Sequence, residues 1–133
     1  MATIYTQAGE EKVVDLIDGV SAVHLDAANA KIGWGTGAGT AAKADTTLFT
    51  EAAEARVAPT VSQPTADKNQ WVGTITCAGA GKTITNAGLL DAASAGNLVV
   101  HGDFTGIVLA IGDKIEFQYL WNKHRGLKWL ILV

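Results

Sequence analysis

Along residues 70–77 apolar and polar positions alternate, with Trp71, Gly73, Ile75 and Cys77 on one face and Val72, Thr74 and Thr76 on the other. A period of two predicts a strand with one side against a core. Residues 114–121 repeat the pattern through Ile115, Phe117, Tyr119 and Trp121. Shorter runs at 21–25, 30–34, 83–85, 98–104 and 107–111 carry the same signal. Turn residues punctuate them at 35–39, 79–81, 92–97 and 112–113. Residues 56–61 read as extended, but Pro59 removes a ladder donor and restricts a strand there to an edge or bulge, and 63–69 read as a loop. Short strands with turns about every ten residues predict a mainly β, single-domain antiparallel β-sandwich or small barrel.

Two stretches break the period. Residues 9–19 set Val13, Val14, Leu16 and Ile17 among Glu10, Glu11, Lys12, Asp15 and Asp18, which fits a short helix and an irregular acidic arm equally well. Residues 1–20 therefore form an N-terminal arm or helix. Residues 36–55 are an Ala/Thr/Gly connection whose large apolar side chains are Leu48 and Phe49; it is expected on the surface, with one helical turn after Asp45. Residues 122–133 form a docking segment ending in the apolar run Trp129, Leu130, Ile131, Leu132 and Val133.

The 133 residues amount to one domain. Charged residues make up 17% against about a quarter in ordinary soluble domains. Such a charge-poor chain with four Trp fits an assembly subunit, because permanent interfaces resemble a core cut in half. A net charge of −3, without a Lys/Arg block before the last ten residues, argues against nucleic acid as a partner. The lone Cys77 has no disulfide mate and no metal spacing, and reads as a buried hydrophobe on a strand. The first residues lack a basic start with an apolar run, and no apolar stretch is long enough for a bilayer, so synthesis in a cytoplasm and no membrane partner are expected. No cofactor is expected either.

Several motifs tempt a catalytic or nucleotide reading. Residues 79–83, Gly-Ala-Gly-Lys-Thr, resemble a phosphate loop, but Thr76 stands where the first glycine is required and the β-branched run 83–85 continues a strand. Residues 33–39 place glycine at every second position, unlike a dinucleotide fingerprint; this bares one face of a strand end so that another backbone can approach. His24, His101 and His124 have Asp26, Asp103 and Asp113 near them in sequence, and His101 with Asp103 on one strand face permits an ion pair. No nucleophile elbow or oxyanion hole accompanies them, so no enzyme activity is expected.

The one basic cluster, Lys123, His124, Arg125 and Lys128, lies between Trp121 and Trp129 and reads as a hairpin tip. Trp and Arg dominate interface energetics. Together with Trp34, the terminal run 129–133 and an acidic patch at Glu10 and Glu11, these residues make a candidate interface.

Two stretches carry a resemblance. Lys31-Ile32-Gly33-Trp34-Gly35-Thr36-Gly37, then Asp45-Thr46-Thr47-Leu48 and Glu51 to Arg56, resembles a pattern of small tailed-bacteriophage structural proteins and of tail-fibre N-terminal domains. The run from Thr83 through Ala92, with 98–104 and 112–119, is similar to a second pattern of the same group; Asn86 stands where that pattern has an acid and His101 where it has Arg. The resemblance implies a virion structural protein without chemistry. Lacking a fibrous segment, the chain looks most like a capsid decoration, or cement, protein on the major capsid protein, itself a dimer or trimer. A tail-associated role is the alternative. A carbohydrate-binding module is a third, and would require tryptophans side by side on an open face.

Overall fold

The computed structural model describes residues 2–20, 23–122 and 126–132. Eight strands and one helix follow in the order β1 (Ala2–Tyr5), α1 (Gln7–Asp18), β2 (Lys31–Gly35), β3 (Thr60–Thr65), β4 (Lys68–Thr76), β5 (Lys82–Leu90), β6 (Leu98–Leu109), β7 (Lys114–Asn122) and β8 (Gly126–Leu132). They build two antiparallel four-stranded sheets, β1-β6-β5-β2 and β3-β4-β7-β8. The mainly β expectation holds, and the architecture is a sandwich, not a closed barrel.

The alternation in β4 and β7 does what its period predicts. Trp71 and Ile75 of β4 and Ile115, Phe117 and Tyr119 of β7 turn inward and meet Ile32, Trp34, Ile84, Leu89 and Val99 of the other sheet. Trp34 packs edge-on against Phe117 across the interface, with centroids 6.5 Å apart at 84°. Each such fully buried aliphatic or Phe side chain contributes about 1.5–3 kcal/mol.

The open edge of β2 is covered from within the chain. Ile32 and Val57 exchange backbone hydrogen bonds at 2.8 and 2.9 Å, and Ala52 N donates to Trp34 O at 3.0 Å. The covering segment then passes Pro59 into β3, the edge of the second sheet. An uncovered edge would be a template for unwanted pairing.

Several expectations are corrected. Of 21–25, the described residues 23–25 are not strand; Asp26 Oδ1 instead accepts from Ala28 N and Asn29 N and turns the chain there. Residues 63–69 are not a loop: β3 continues to Thr65 and β4 starts at Lys68, because Pro64 sits at a register shift on an edge strand that needs no donor. Residues 98–111 are not two short strands but mostly one, β6, which keeps pairing with β5 past a bulge. Cys77 is buried but lies just past β4, its thiol 3.4 Å from Ala80 O. No helical turn follows Asp45; its carboxylate accepts from Ala42 N and closes the preceding turn. The even reading of 9–19 resolves to helix, and the terminal strand β8 pairs with β7 of its own chain.

Candidate interaction site

The polar residues that looked most like chemistry fasten the 36–56 segment to the sandwich. The fully buried His101 places Nδ1 2.7 Å from Asp45 Oδ2 and Nε2 3.1 Å from Asn86 Oδ1. Asn86 mimics a strand toward Phe49: its Oδ1 accepts from Phe49 N and its Nδ2 donates to Phe49 O, both at 3.0 Å. That pairing fixes the amide orientation and turns Asn86 Oδ1 toward the His101 ring. Asp103, the partner expected for His101, accepts instead from Ala41 N at 2.9 Å. Both imidazole nitrogens are thus engaged inside the protein.

The alternating glycines admit a close backbone, as their spacing implied, and that backbone is the chain's own. A Cβ on Gly35 would lie 2.3 Å from Phe49 O, and one on Gly37 2.8 Å from Phe49 C. Thr36 N and Gly37 N bond to Thr50 O and Phe49 O at 3.0 and 2.9 Å.

Two more fasteners complete the set. Arg56 grips Glu51 at 2.7 and 2.8 Å and donates to Ala92 O and Ala95 O, both at 2.9 Å. Glu54 accepts from Trp34 Nε1, Ala78 N and Lys82 Nζ. Burial would raise its carboxyl, but Lys82, the backbone N–H groups of Glu54 and Ala78, and the Trp34 indole together hold it down at about 2. Lys82, the would-be phosphate-loop lysine, is committed to this carboxylate and to Ala78 O. Asp45, Leu48, Glu51 and Arg56, which carry much of the first resemblance, therefore have loop-holding roles.

Helix α1 is different, because only its first half is fastened. Thr6 caps it, accepting from Gly9 N at 3.1 Å while its hydroxyl donates to Leu98 O. Gly9 lies so close to β6 that a Cβ would sit 2.4 Å from Val99 O. Lys12 reaches inward to Asp91 at 2.9 Å and to Val23 O at 2.8 Å. Burial acts to raise the Asp91 carboxyl, yet hydrogen bonds from Asn97 and Lys12 leave it below the usual range.

Beyond Lys12 the helix stands off the sandwich. Val13, Leu16 and Ile17 recur at the spacing of one helix face, but Leu16 is 41% and Ile17 79% exposed; Val14, on the flank toward Glu10 and Lys43, is 56% exposed, and Val20, past the left-handed Gly19 cap, 54%. A groove of about 510 Å³ runs beneath, with Val13, Leu16 and Ile17 on one wall and Val61, Trp71 and Trp121 on the other. Tyr5 also lines it, its phenol pushed up to about 12 by burial.

The residues expected at an interface fall in different places. Trp121 is half-buried and lines this groove, and Trp71 is anchored through its indole N–H to Leu25 O at 2.9 Å. Trp34 is 1% exposed inside the core, so it offers no surface to a partner. Glu10 and Glu11 lie on α1, Glu10 paired with Lys43 at 2.7 Å and Glu11 accepting from Gln7 at 2.9 Å. Lys128, Trp129, Leu130, Ile131 and Leu132 belong to β8, while Lys123, Arg125 and Val133 lie outside the described residues. Sequence reasoning left Leu16 and Ile17 out of the interface, although the 13, 16, 17 spacing was the signal for them.

Among the described residues no group of three His, Cys, Asp or Glu is placed to hold a metal ion, and no helix is long and apolar enough to cross a membrane. Comparison with family models, with curated protein sequences and with solved structures gives no match to this chain.

Proposed function

We propose that the chain is a structural protein of a tailed-phage particle, most like a capsid decoration protein, which docks on the assembled shell through α1 and the groove beneath it. The carrying observation is the open apolar face of α1: Leu16 at 41% and Ile17 at 79% exposure line a groove containing Trp71 and Trp121. A contiguous apolar surface of this kind marks an interaction site more often than a solvent face. The patterns through residues 31–56 and 83–119 supply the phage part of the reading. A decoration protein binds the assembled lattice and not its separated subunits, so its binding free energy must be overcome before the shell opens. Many identical weak contacts on one shell then add by multivalency.

The test is immunogold or cryo-electron microscopy localisation on intact particles of the replicon encoding the chain. Decoration predicts density spread over the icosahedral head. Density confined to the tail would overturn decoration in favour of a tail component, and particles without the chain would overturn the virion reading.

A further inference from the structure

We propose that two copies of this chain join edge to edge through β8, in an antiparallel twofold pairing that runs the β3-β4-β7-β8 sheet of one copy into that of the other. The joint uses no residue of α1.

Two four-stranded sheets have four edge strands, and the free backbone N–H and C=O groups along an edge are a template for another chain. Three of the four edges are blunted. β1 is four residues long. β2 is met by the chain's own 51–57 segment through the Ile32–Val57 and Gly35–Glu51 bridges. β3 carries Pro64 at a register shift and exposes Ser62, Gln63, Pro64 and Thr65 to water. β8 has none of these devices: its seven residues pair with β7 without a register shift, from Gly126 opposite Asn122 to Leu132 opposite Glu116, and they include no proline and one charge, Lys128. Among the described residues its second edge has no ladder partner; β1 of the other sheet lies near it but pairs with β6 alone.

Register and closure both point to a second copy as the occupant. An antiparallel pairing centred on Trp129 uses all seven positions of β8, setting Gly126 opposite Leu132, Leu127 opposite Ile131 and Lys128 opposite Leu130 of the other copy. No charge then stands opposite a like charge, which would oppose pairing. Such a contact is isologous, so one pairing satisfies both β8 edges at once. The joined sheet runs β3-β4-β7-β8-β8-β7-β4-β3 and ends on both sides in β3, where Pro64 and the register shift stop further addition. Assembly closes at two. A lone strand from another protein would instead present a fresh edge of its own.

Sedimentation equilibrium of the full chain reads the stoichiometry, and a dimer is expected. Lys128 and Leu130 stand opposite the half-buried Leu120 and Gln118 of β7, not opposite the core residues Tyr119 and Phe117, so position 130 is the place for a charge. Leu130→Lys sets like charges opposite each other at both symmetry-related 128–130 pairs, and Leu130→Glu sets opposite charges there. Leu130→Lys should weaken the dimer about tenfold or more relative to Leu130→Glu, a gap that narrows as salt rises. Loss of the leucine is common to both variants, and matching circular dichroism spectra check that they fold alike. In the unchanged chain, amide hydrogen exchange along residues 126–132 should slow as rising concentration carries monomer into dimer. A chain that stays monomeric up to about 1 mM, a dimer of equal strength in both variants, or exchange along 126–132 that ignores concentration overturns the proposal. So does a dimer that Ile17→Asp splits, which would assign the contact to the face of α1. None of these readouts depends on the virion reading, which particle localisation decides on its own.

Discussion

Asp91→Asn and Lys12→Met break one buried ion pair from opposite ends, and the two losses of stability should differ. The paired atoms are 2.9 Å apart and their side chains 6% and 2% exposed for Lys12 and Asp91. Asp91 also accepts from Asn97 N at 2.7 Å and Asn97 Nδ2 at 3.1 Å, whereas the Lys12 ammonium is otherwise held by Val23 O at 2.8 Å. Removing one partner of a buried pair costs about 3–5 kcal/mol, because the survivor becomes an uncompensated buried charge. In Lys12→Met the carboxylate keeps two N–H donors, which places the loss near 3 kcal/mol; in Asp91→Asn the ammonium keeps one carbonyl, which places it near 5 kcal/mol, on the same scale of about 3–5. Urea unfolding followed by tryptophan fluorescence, with m held constant across variants, measures the difference. Losses below about 1 kcal/mol for both variants are the signature of a solvated pair and would refute the burial argument. A larger loss for Lys12→Met than for Asp91→Asn would refute the assignment of Asn97 as the second support of the carboxylate.

Glu54 should shape the acid limb of stability: its carboxyl is held at about 2 against an ordinary 4.5, so its contribution is complete above about 4.5 and is lost as pH falls from there through 2. Glu54→Gln should flatten that limb in a series of urea midpoints against pH. Asn86→Asp removes the donor to Phe49 O and sets a second carboxylate near Asp45 across His101, so it should cost about 1–3 kcal/mol in the same unfolding assay. Gly35→Ala drives a Cβ to 2.3 Å from Phe49 O, and the forced shift of the 49–50 backbone should cost about 1–3 kcal/mol, read as a lowered thermal midpoint.

The sheets were legible because their signal is local. In β7, and in β4 from Trp71 onward, each inward residue is apolar or glycine and each turn carries its own glycine or aspartate, so period and punctuation agree. β1 escaped notice because Ala2–Tyr5 is four residues long and owes its conformation to pairing with 100–103 of β6, nearly a hundred residues away. Asp103 stands two residues from His101 and suggested a pair, but Asp45, 56 residues distant, holds the ring. Long-range polar partners leave no trace in spacing. The same limit explains Pro64, whose place in β3 depends on that strand lying at a sheet edge. The stripe on α1 was visible as a pattern, yet whether such a stripe is buried or open depends on where the helix is pinned, and that is decided by Gly9 against Val99 and Lys12 against Asp91.

That pinning separates folding from recognition within one short helix. The core is closed by residues of the two sheets, with Trp34 meeting Phe117 across it, and none of Val14, Leu16 or Ile17 is part of it. These apolar side chains therefore contribute little to the stability of the isolated chain, in which they remain in water. A stripe that folding does not use is expected to be used on contact. Changes at the pinned end and at the open end should accordingly fail in different ways: Lys12→Met loosens the whole helix and weakens fold and docking together, whereas Ile17→Asp leaves the fold intact and removes docking. If both changes were to lower stability equally, α1 would be an ordinary covering helix and its open face would carry no argument for a partner.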